Sequence, residues 1–411
     1  LGDYVYETTG DPSFQTTSPG RLVEFTDLGG AIELEEDGEV FYAASSLSNY
    51  RELYKIYRGD VWLQRVHERY PMIVIWDDHE FADDCWQDHA THFNEAQGDE
   101  QNTARRTAAN QAWFEFIPVD LERDAGASFP DDLRIYRSLR FGKHAELVLT
   151  DLRSYRSDHV IPEGPIDFLL GKFEEYTAIG ARQFVQKSQF DPREAESGVT
   201  MLGGPQKQWL LDTLRASTAT WKLWGSEVMN TQLLVDLSRF ESLPENFRDT
   251  FYFTLDQWDG YRTERAEVMQ ALEEVGNVVV LVGDIHAHYA SELHVDFDNP
   301  GDRPAAVEFV CPGISSQALQ NITVQTLEGN QTLSDLGLVD IAREFDREVY
   351  MANPHIKFTD NLANGYLRVD LSAAEVQATW VTVPDVTDEA MTGDVVRTVR
   401  RTAAGSNRIT E

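Results

Sequence analysis

The chain has 411 residues, 42% hydrophobic and 11% aromatic, enough apolar material to bury a large core and too much for a disordered tail. Acidic residues outnumber basic ones 70 to 35, a formal charge of −35, so the surface repels nucleic-acid backbones and anionic membranes and attracts divalent cations. Two cysteines, Cys85 and Cys311, exclude a disulfide framework while leaving room for one pair, and no apolar run is long enough to span a bilayer.

The opening Leu1-Gly2-Asp3 reads as the end of a strand. Residues 10–45 are rich in Gly, Ser, Thr and acids and read as a long loop with short extended pieces. From Leu47 the pattern turns helical, with Leu47, Tyr50, Leu53, Tyr54 and Tyr57 at three- and four-residue steps. A second helix over Val61–Arg69 is stopped by Pro71. Met72–Trp76 predicts a strand that releases Asp77-Asp78-His79-Glu80, with residues 83–100 as a polar loop over that cluster. Helix returns over Asn102–Phe116, and Leu133–Phe141 and Ala145–Leu152 predict paired strands joined at Gly142-Lys143. Residues 158–203 show little periodicity and read as a surface excursion or lid. Pro205 sits in the first turn of a helix reaching Leu214.

A strand over Trp221–Val228, a helix over Tyr261–Val275 and the wholly apolar strand Val278–Val282 follow. Ser291–Phe297 and Val307–Cys311 continue as strands. Gly365–Leu371 with Val376–Val383 form a closing hairpin. Early alternation of strands with helices and late strand pairing predict an α/β fold with a mixed sheet or two sheets. The chain reads as a single domain, 1–411, with 365–411 as its closing strands. It opens with neither an initiator Met nor a lead-in strand, which predicts a mature or trimmed form.

Chemistry concentrates at strand ends, where open α/β sheets place ligands. Asp78 can ligate a hard cation, and His79 can ligate or donate a proton; an acidic turn capping the next helix is the bland alternative. Glu80 reads as a cap rather than a ligand. In Gly283-Asp284-Ile285-His286-Ala287-His288, alternation puts Asp284, His286 and His288 on one side of an extended chain. Asp3 gains weight as a third strand-end aspartate beside a glycine. Arg153 can hold a phosphate oxygen bidentately or serve as a salt-bridge partner. Asn230 could face the same cleft, and His355 is either a ligand or a structural turn histidine. The aromatics around Asp256–Tyr261 read as core or pocket wall. No glycine-rich phosphate loop, Gly-x-Ser-x-Gly elbow or cysteine-rich zinc pattern is present. Oxygen-heavy ligands favour hard ions over a zinc–thiolate site.

The order of these motifs resembles the PhoD-like (alkaline phosphatase D) phosphodiesterase family of metallophosphoesterases. The resemblance runs through LGDYVYE at Leu1–Glu7, the stretch Tyr50–Glu80 ending in WDDHE, and RFGKHAELVLTDLRSYR before Ser157. It continues through Gly204–Val228, DQWDGYRTER at Asp256–Arg265, GDIH at Gly283–His286 and NPHIKF at Asn353–Phe358. It implies a four-layer α-β-β-α sandwich of two mixed sheets, with a first strand, bearing an iron-binding cysteine, upstream of Leu1. It also implies secretion or a periplasmic location, a small phosphate mono- or diester as substrate, and Ca²⁺ and Fe³⁺ as cofactors.

Asp3 then matches the metal-bridging aspartate, and Asp78 with Asp284 and His286 match further metal ligands. His79 is expected to protonate the leaving oxygen and Arg153 to offset charge on the phosphoryl oxygens, with Asp83 and Asn230 contacting substrate. Asp83-Asp84 stands where family members often carry Asn, exchanging an amide donor for an acceptor. Two other readings stay open: a catalytically lapsed, calcium-stabilised acidic surface protein, and a phospholipase-like or nucleotide-directed diesterase.

Overall fold

A computed structural model describes the chain except residues 11–22, 37–38, 91–99, 125, 162–181, 302, 384–385 and 387–394. It divides into two compact units, Leu1–Tyr136 with Asp151–Arg156, and Arg137–Thr150 with Ser157–Glu411.

The first unit begins with a small antiparallel sheet of β1 (Thr8–Thr9), β2 (Ile32–Glu36) and β3 (Glu39–Ala43). Part of the expected loop over 10–45 is therefore a hairpin, β2 pairing β3 from Ile32↔Ala43 to Glu36↔Glu39. Helix α1 (Leu47–Tyr57) starts at a capping box in which Ser46 and Asn49 satisfy each other's backbone groups, and it buries Tyr50, Leu53 and Tyr54. Helix α2 (Val61–Arg69) is capped by Asp60, which accepts from the N–H groups of Trp62 and Leu63. After the short pair β4 (His89–Ala90) and β5 (Glu100–Gln101), helix α3 (Thr103–Phe116) packs on α1. Tyr54 stacks on Phe116 with centroids 5.5 Å apart.

One sequence expectation fails here. Met72–Trp76 joins no sheet among the described residues; it follows α2 and buries Val74, Ile75 and Trp76. Trp76 meets Trp113 edge-on at 5.0 Å, and the Arg106 guanidinium lies over the Trp76 ring at 5.4 Å. Burial without a ladder produces the same apolar run as a strand, which is why the sequence misled. The chain turns at its opening, where Gly2 (φ +93°) and Asp3 (φ +52°) both lie in the left-handed region.

The second unit holds β6 (Arg137–Phe141), β7 (Ala145–Leu149), β8 (Gln183–Gln186), α4 (Lys187–Ser197), α5 (Gly204–Ala216), β9 (Trp221–Ser226), β10 (Leu234–Asp236), β11 (Thr250–Thr254), α6 (Arg262–Val275) and β12 (Val278–Val282). It continues through β13 (His288–Leu293), β14 (Ala306–Val310), α7 (Leu319–Gly329), α8 (Gln331–Asp335), α9 (Leu338–Arg343), α10 (Phe345–Ala352), β15 (Ile356–Asp360), β16 (Asn364–Leu371), β17 (Glu375–Val383) and β18 (Val396–Ala403). Its main sheet has seven strands in the order β15-β13-β14-β12-β9-β7-β6. Strands β14, β12, β9 and β7 run parallel, with antiparallel additions at both edges. The fold is thus α/β with a large mixed sheet, as the alternation predicts.

The apolar strand Val278–Val282 lies third from neither edge but at the centre, buried as a parallel strand with partners on both sides must be. One face packs on the three-stranded sheet β16-β17-β18: Trp221, Leu223, Val279 and Phe309 meet Val376, Ala378 and Trp380 in one core cluster. Helices α5 and α6 contact β7 and β14 of the main sheet.

The aperiodic 158–203 segment contains β8 and α4, while 162–181 lies outside the described residues. Strand β8 pairs antiparallel with β11, and α4 buries only Phe190 and Glu194, too few positions for a periodic signal. Both cysteines are free thiols.

Candidate functional site

In the first unit the site is assembled by a close approach that only glycine permits. A Cβ on Gly2 would lie 2.2 Å from Asp77 Cβ, so the chain's opening runs directly against Asp77. Glu80 fixes this arrangement. One carboxylate accepts from the N–H groups of Asp3 (3.1 Å), Tyr4 (2.8 Å) and Asp77 (2.8 Å). It is a cap, as its sequence context suggests. Burial pushes its pKa up to about 7 despite those three donors.

The same geometry gathers Asp3, Asp78 and His79. Each offers one ligand atom, and the three atoms lie within 4.8 Å of one another. Asp3 Oδ1 is shielded from solvent and finds no hydrogen-bond partner among the described residues. Loss of hydration, then the neighbouring Asp78 carboxylate, raises the Asp3 pKa well above the ordinary range. Asp78 is held from both sides, its Oδ1 accepting from His79 N–H (3.0 Å) and its Oδ2 from Asp84 N–H (2.8 Å).

His79 is buried and oriented by Glu7. Its Nδ1–H donates to Glu7 Oε2 at 2.7 Å, while Glu7 Oε1 accepts from the Asp83 N–H at 2.8 Å. This sets the tautomer and points Nε2 toward Asp83 Oδ1, 3.6 Å away. Tyr6 packs on the imidazole, centroids 4.1 Å apart. Burial alone would lower the His79 pKa, but the Glu7 and Asp78 carboxylates outweigh it and raise it well above the ordinary value.

Arg153 is fully buried and engaged by Asp77 and, at 3.3 Å, by Asp78 Oδ2. These ion pairs accord with its reading as a salt-bridge partner. Cys85, held beside Arg106 Nη1 at 3.5 Å, is a buried thiol whose pKa burial pushes up to about 12. A thiol so protonated is a poor metal ligand at neutral pH.

The second unit carries Asp284 and His286 on the loop after β12. They do not alternate along an extended strand: Asp284 (φ +65°) and His286 (φ +57°) are both left-handed, and the chain turns with Ile285 N–H donating to Gly283 O at 2.8 Å. Regular alternation requires extended backbone at every step, so His288 falls instead inside β13. Gln257 Nε2 donates to Asp284 Oδ2. His286 Nδ1–H donates to Gln317 O at 2.7 Å, leaving Nε2 as the nitrogen that can ligate.

Asn230 is buried, its N–H bound by Glu308 (2.8 Å) and its Oδ1 without a partner among the described residues. His355 donates to Gln232 O at 2.8 Å and is a structural turn histidine.

Sequence reasoning missed Glu7, Tyr6, Gln257 and the buried pair His159–Asp256, whose Nε2 and Oδ1 are 2.8 Å apart. Glu7 and Tyr6 stand in LGDYVYE beside Asp3, and their placement in that motif was the available signal.

The donor set at Asp3, Asp78 and His79 is oxygen-rich, partly desolvated and richer in carboxylates than in cations. It fits a hard metal ion. An α/β fold carrying such carboxylate clusters at its loops has the make-up of a hydrolase. The chain belongs to the PhoD-like phosphatase family, whose description matches residues 1–380. It is 28% identical over 393 residues to alkaline phosphatase D of Bacillus subtilis (strain 168), covering 94% of this chain and 54% of that protein. A solved structure described as "Structure of PhoD" superposes with a TM-score of 0.70 at 23% identity, covering 100% of this chain and 65% of the other. The chain thus spans about half the length of its curated relative.

Proposed function

We propose that this chain hydrolyses phosphate mono- and diesters with bound metal ions. The observation that carries the reading is the convergence of Asp3, Asp78 and His79 ligand atoms within 4.8 Å, with Asp3 Oδ1 desolvated and unpartnered among the described residues. Family membership supplies the reaction class. Calcium and ferric ions, both hard acceptors for carboxylate, would lower the pKa of a water and supply positive charge beside the phosphoryl oxygens.

Asp3, Asp78, Asp284 and His286 are the proposed ligands. His79, with Nδ1–H committed to Glu7, offers Nε2 for protonating the leaving oxygen. Arg153, engaged by Asp77 and Asp78, is the proposed counter-charge for the phosphoryl oxygens. Asp83 and Asn230 are the proposed substrate contacts, the Asn230 amide oxygen having no hydrogen-bond partner among the described residues. The lapsed-site reading gains no support, since the clustered carboxylates and their oriented imidazole remain together.

The whole chain is proposed as one catalytic domain of four-layer α-β-β-α type, and the two sheets packed face to face in the second unit support its two inner layers. The substrate is proposed to be a small phosphoester rather than nucleic acid, and the protein to be secreted or periplasmic. No helix among the described residues is long and apolar enough to cross a membrane.

The test is hydrolysis of bis-p-nitrophenyl phosphate after calcium addition, with metal content measured in parallel. Turnover should be abolished by chelator, and Asp78→Asn and Asp284→Asn should each lower metal content and activity together. Full turnover in chelator would overturn the reading.

A further inference from the structure

We propose that Ile314 and Leu362 form an apolar subsite that binds the hydrocarbon substituent of a phosphoester, beside the Asp284–His286 turn; the inference rests on the reading of that turn as part of a phosphohydrolase site. Ile314 is 67% exposed, Leu362 52% and Tyr366 47%. Singly, exposed apolar side chains are ordinary. These three lie on segments that hydrogen bonds tie together.

Asn364 Nδ2 donates to Gly313 O (2.9 Å) and Ser316 O (2.7 Å), and Gly365 N–H donates to Gly313 O (3.4 Å). The 313–316 turn is itself closed tightly, since a Cβ on Gly313 would meet Ser316 Oγ at 1.9 Å. The same loop reaches His286 from the other end. His286 Nδ1–H donates to Gln317 O at 2.7 Å, and Leu319 N–H donates to His286 O at 3.1 Å. The apolar side chains are thus held on the loop that orients the imidazole.

Charge gives an independent indication. In a chain that is 26% charged with a net −35, no charged residue occurs from Phe309 through Leu327, and none from Asn361 through Leu367. Both segments that carry the exposed apolar groups are therefore free of carboxylates. The nearest carboxylate in the chain, Asp360, is taken up by the N–H groups of Leu362 and Ala363 at 3.1 Å each, so a phosphodiester monoanion meets less repulsion there than over the rest of the acidic surface, and its hydrocarbon group can leave water against Ile314 and Leu362. The chemistry selected is an aryl or alkyl phosphoester in preference to a small polar one.

Calorimetric binding of diphenyl phosphate and of dimethyl phosphate to the metal-loaded protein tests this. The wild-type chain should bind diphenyl phosphate more tightly. Ile314→Ser and Leu362→Ser should each weaken diphenyl phosphate about three- to tenfold, the scale of a partly lost apolar contact, and leave dimethyl phosphate unchanged. Equal affinity for the two phosphates in the wild type, or no change in either variant, would overturn the subsite. Binding is measured whether or not an ester turns over. Selective binding without hydrolysis of bis-p-nitrophenyl phosphate would therefore count against the hydrolase reading and leave the subsite standing.

Discussion

His79 sits where two roles compete, and its surroundings state the competition in atoms. Its Nδ1 is committed to Glu7, while its ring can present Nε2 either to a metal with Asp3 and Asp78 or to a leaving oxygen. His79→Ala separates these. A proton donor's loss spares metal content and slows poor leaving groups more than p-nitrophenolate; loss of bound metal would make His79 a ligand instead. The sequence marked His79 because it follows two carboxylates directly. Glu7, 72 residues away, carried no local sign of being its partner.

A second histidine makes a pH prediction. Burial drives the His355 pKa from 6.5 down to about 3, so the folded protein keeps it neutral where the unfolded chain would protonate it. Its contribution is fully present above about pH 6.5 and is lost as pH falls from there toward about 3. Urea midpoints taken across that window should fall with pH in the wild type and fall less steeply in His355→Gln. Equal slopes would show that other groups govern the acid limb.

At the scale of elements, the helices were legible and one key strand was not. The three- and four-residue steps from Leu47 to Tyr57 marked α1, because amphipathic burial repeats at the helical period. Met72–Trp76 misled because an apolar run reports burial and not hydrogen bonding. The Val278–Val282 strand was read correctly because burial on both faces leaves no polar position.

The contact between the seven-stranded and three-stranded sheets depends on Trp380, fully buried, with its Nε1–H on Val310 O at 2.8 Å and its ring edge-on to Phe309. Trp380→Ala should cost about 3–5 kcal/mol, read as a lower denaturation midpoint. A loss under about 1 kcal/mol, the range of surface substitutions, would mean that the two sheets do not share a core.

For the molecule as a whole, the excess of 70 acidic over 35 basic residues means that any cation stabilises somewhat by screening. A specific site adds to this by binding the folded state alone, about 2.7 kcal/mol at a hundredfold excess over Kd. Calcium at constant ionic strength should therefore raise the unfolding temperature, chelator should reverse it, and Asp78→Asn should lose the shift. An equal shift in the variant would assign the effect to diffuse counterions.

By itself the sequence determined α1, α2, α3, α5, α6 and the central strand, the position of Asp284 and His286 after that strand, and a motif order that matched the family. These are local properties, written in periodicity and in runs of neighbouring residues. Only the tertiary structure decided that Gly2 lets the opening residues lie against Asp77, that Glu80 and Glu7 clamp Asp3 and His79, and that Asp284 and His286 turn instead of alternating. It alone brought Ile314 and Leu362 onto segments joined through Asn364. Each of those outcomes depends on groups far apart in the chain or on a left-handed backbone step, and neither leaves a repeating trace in the order of amino acids.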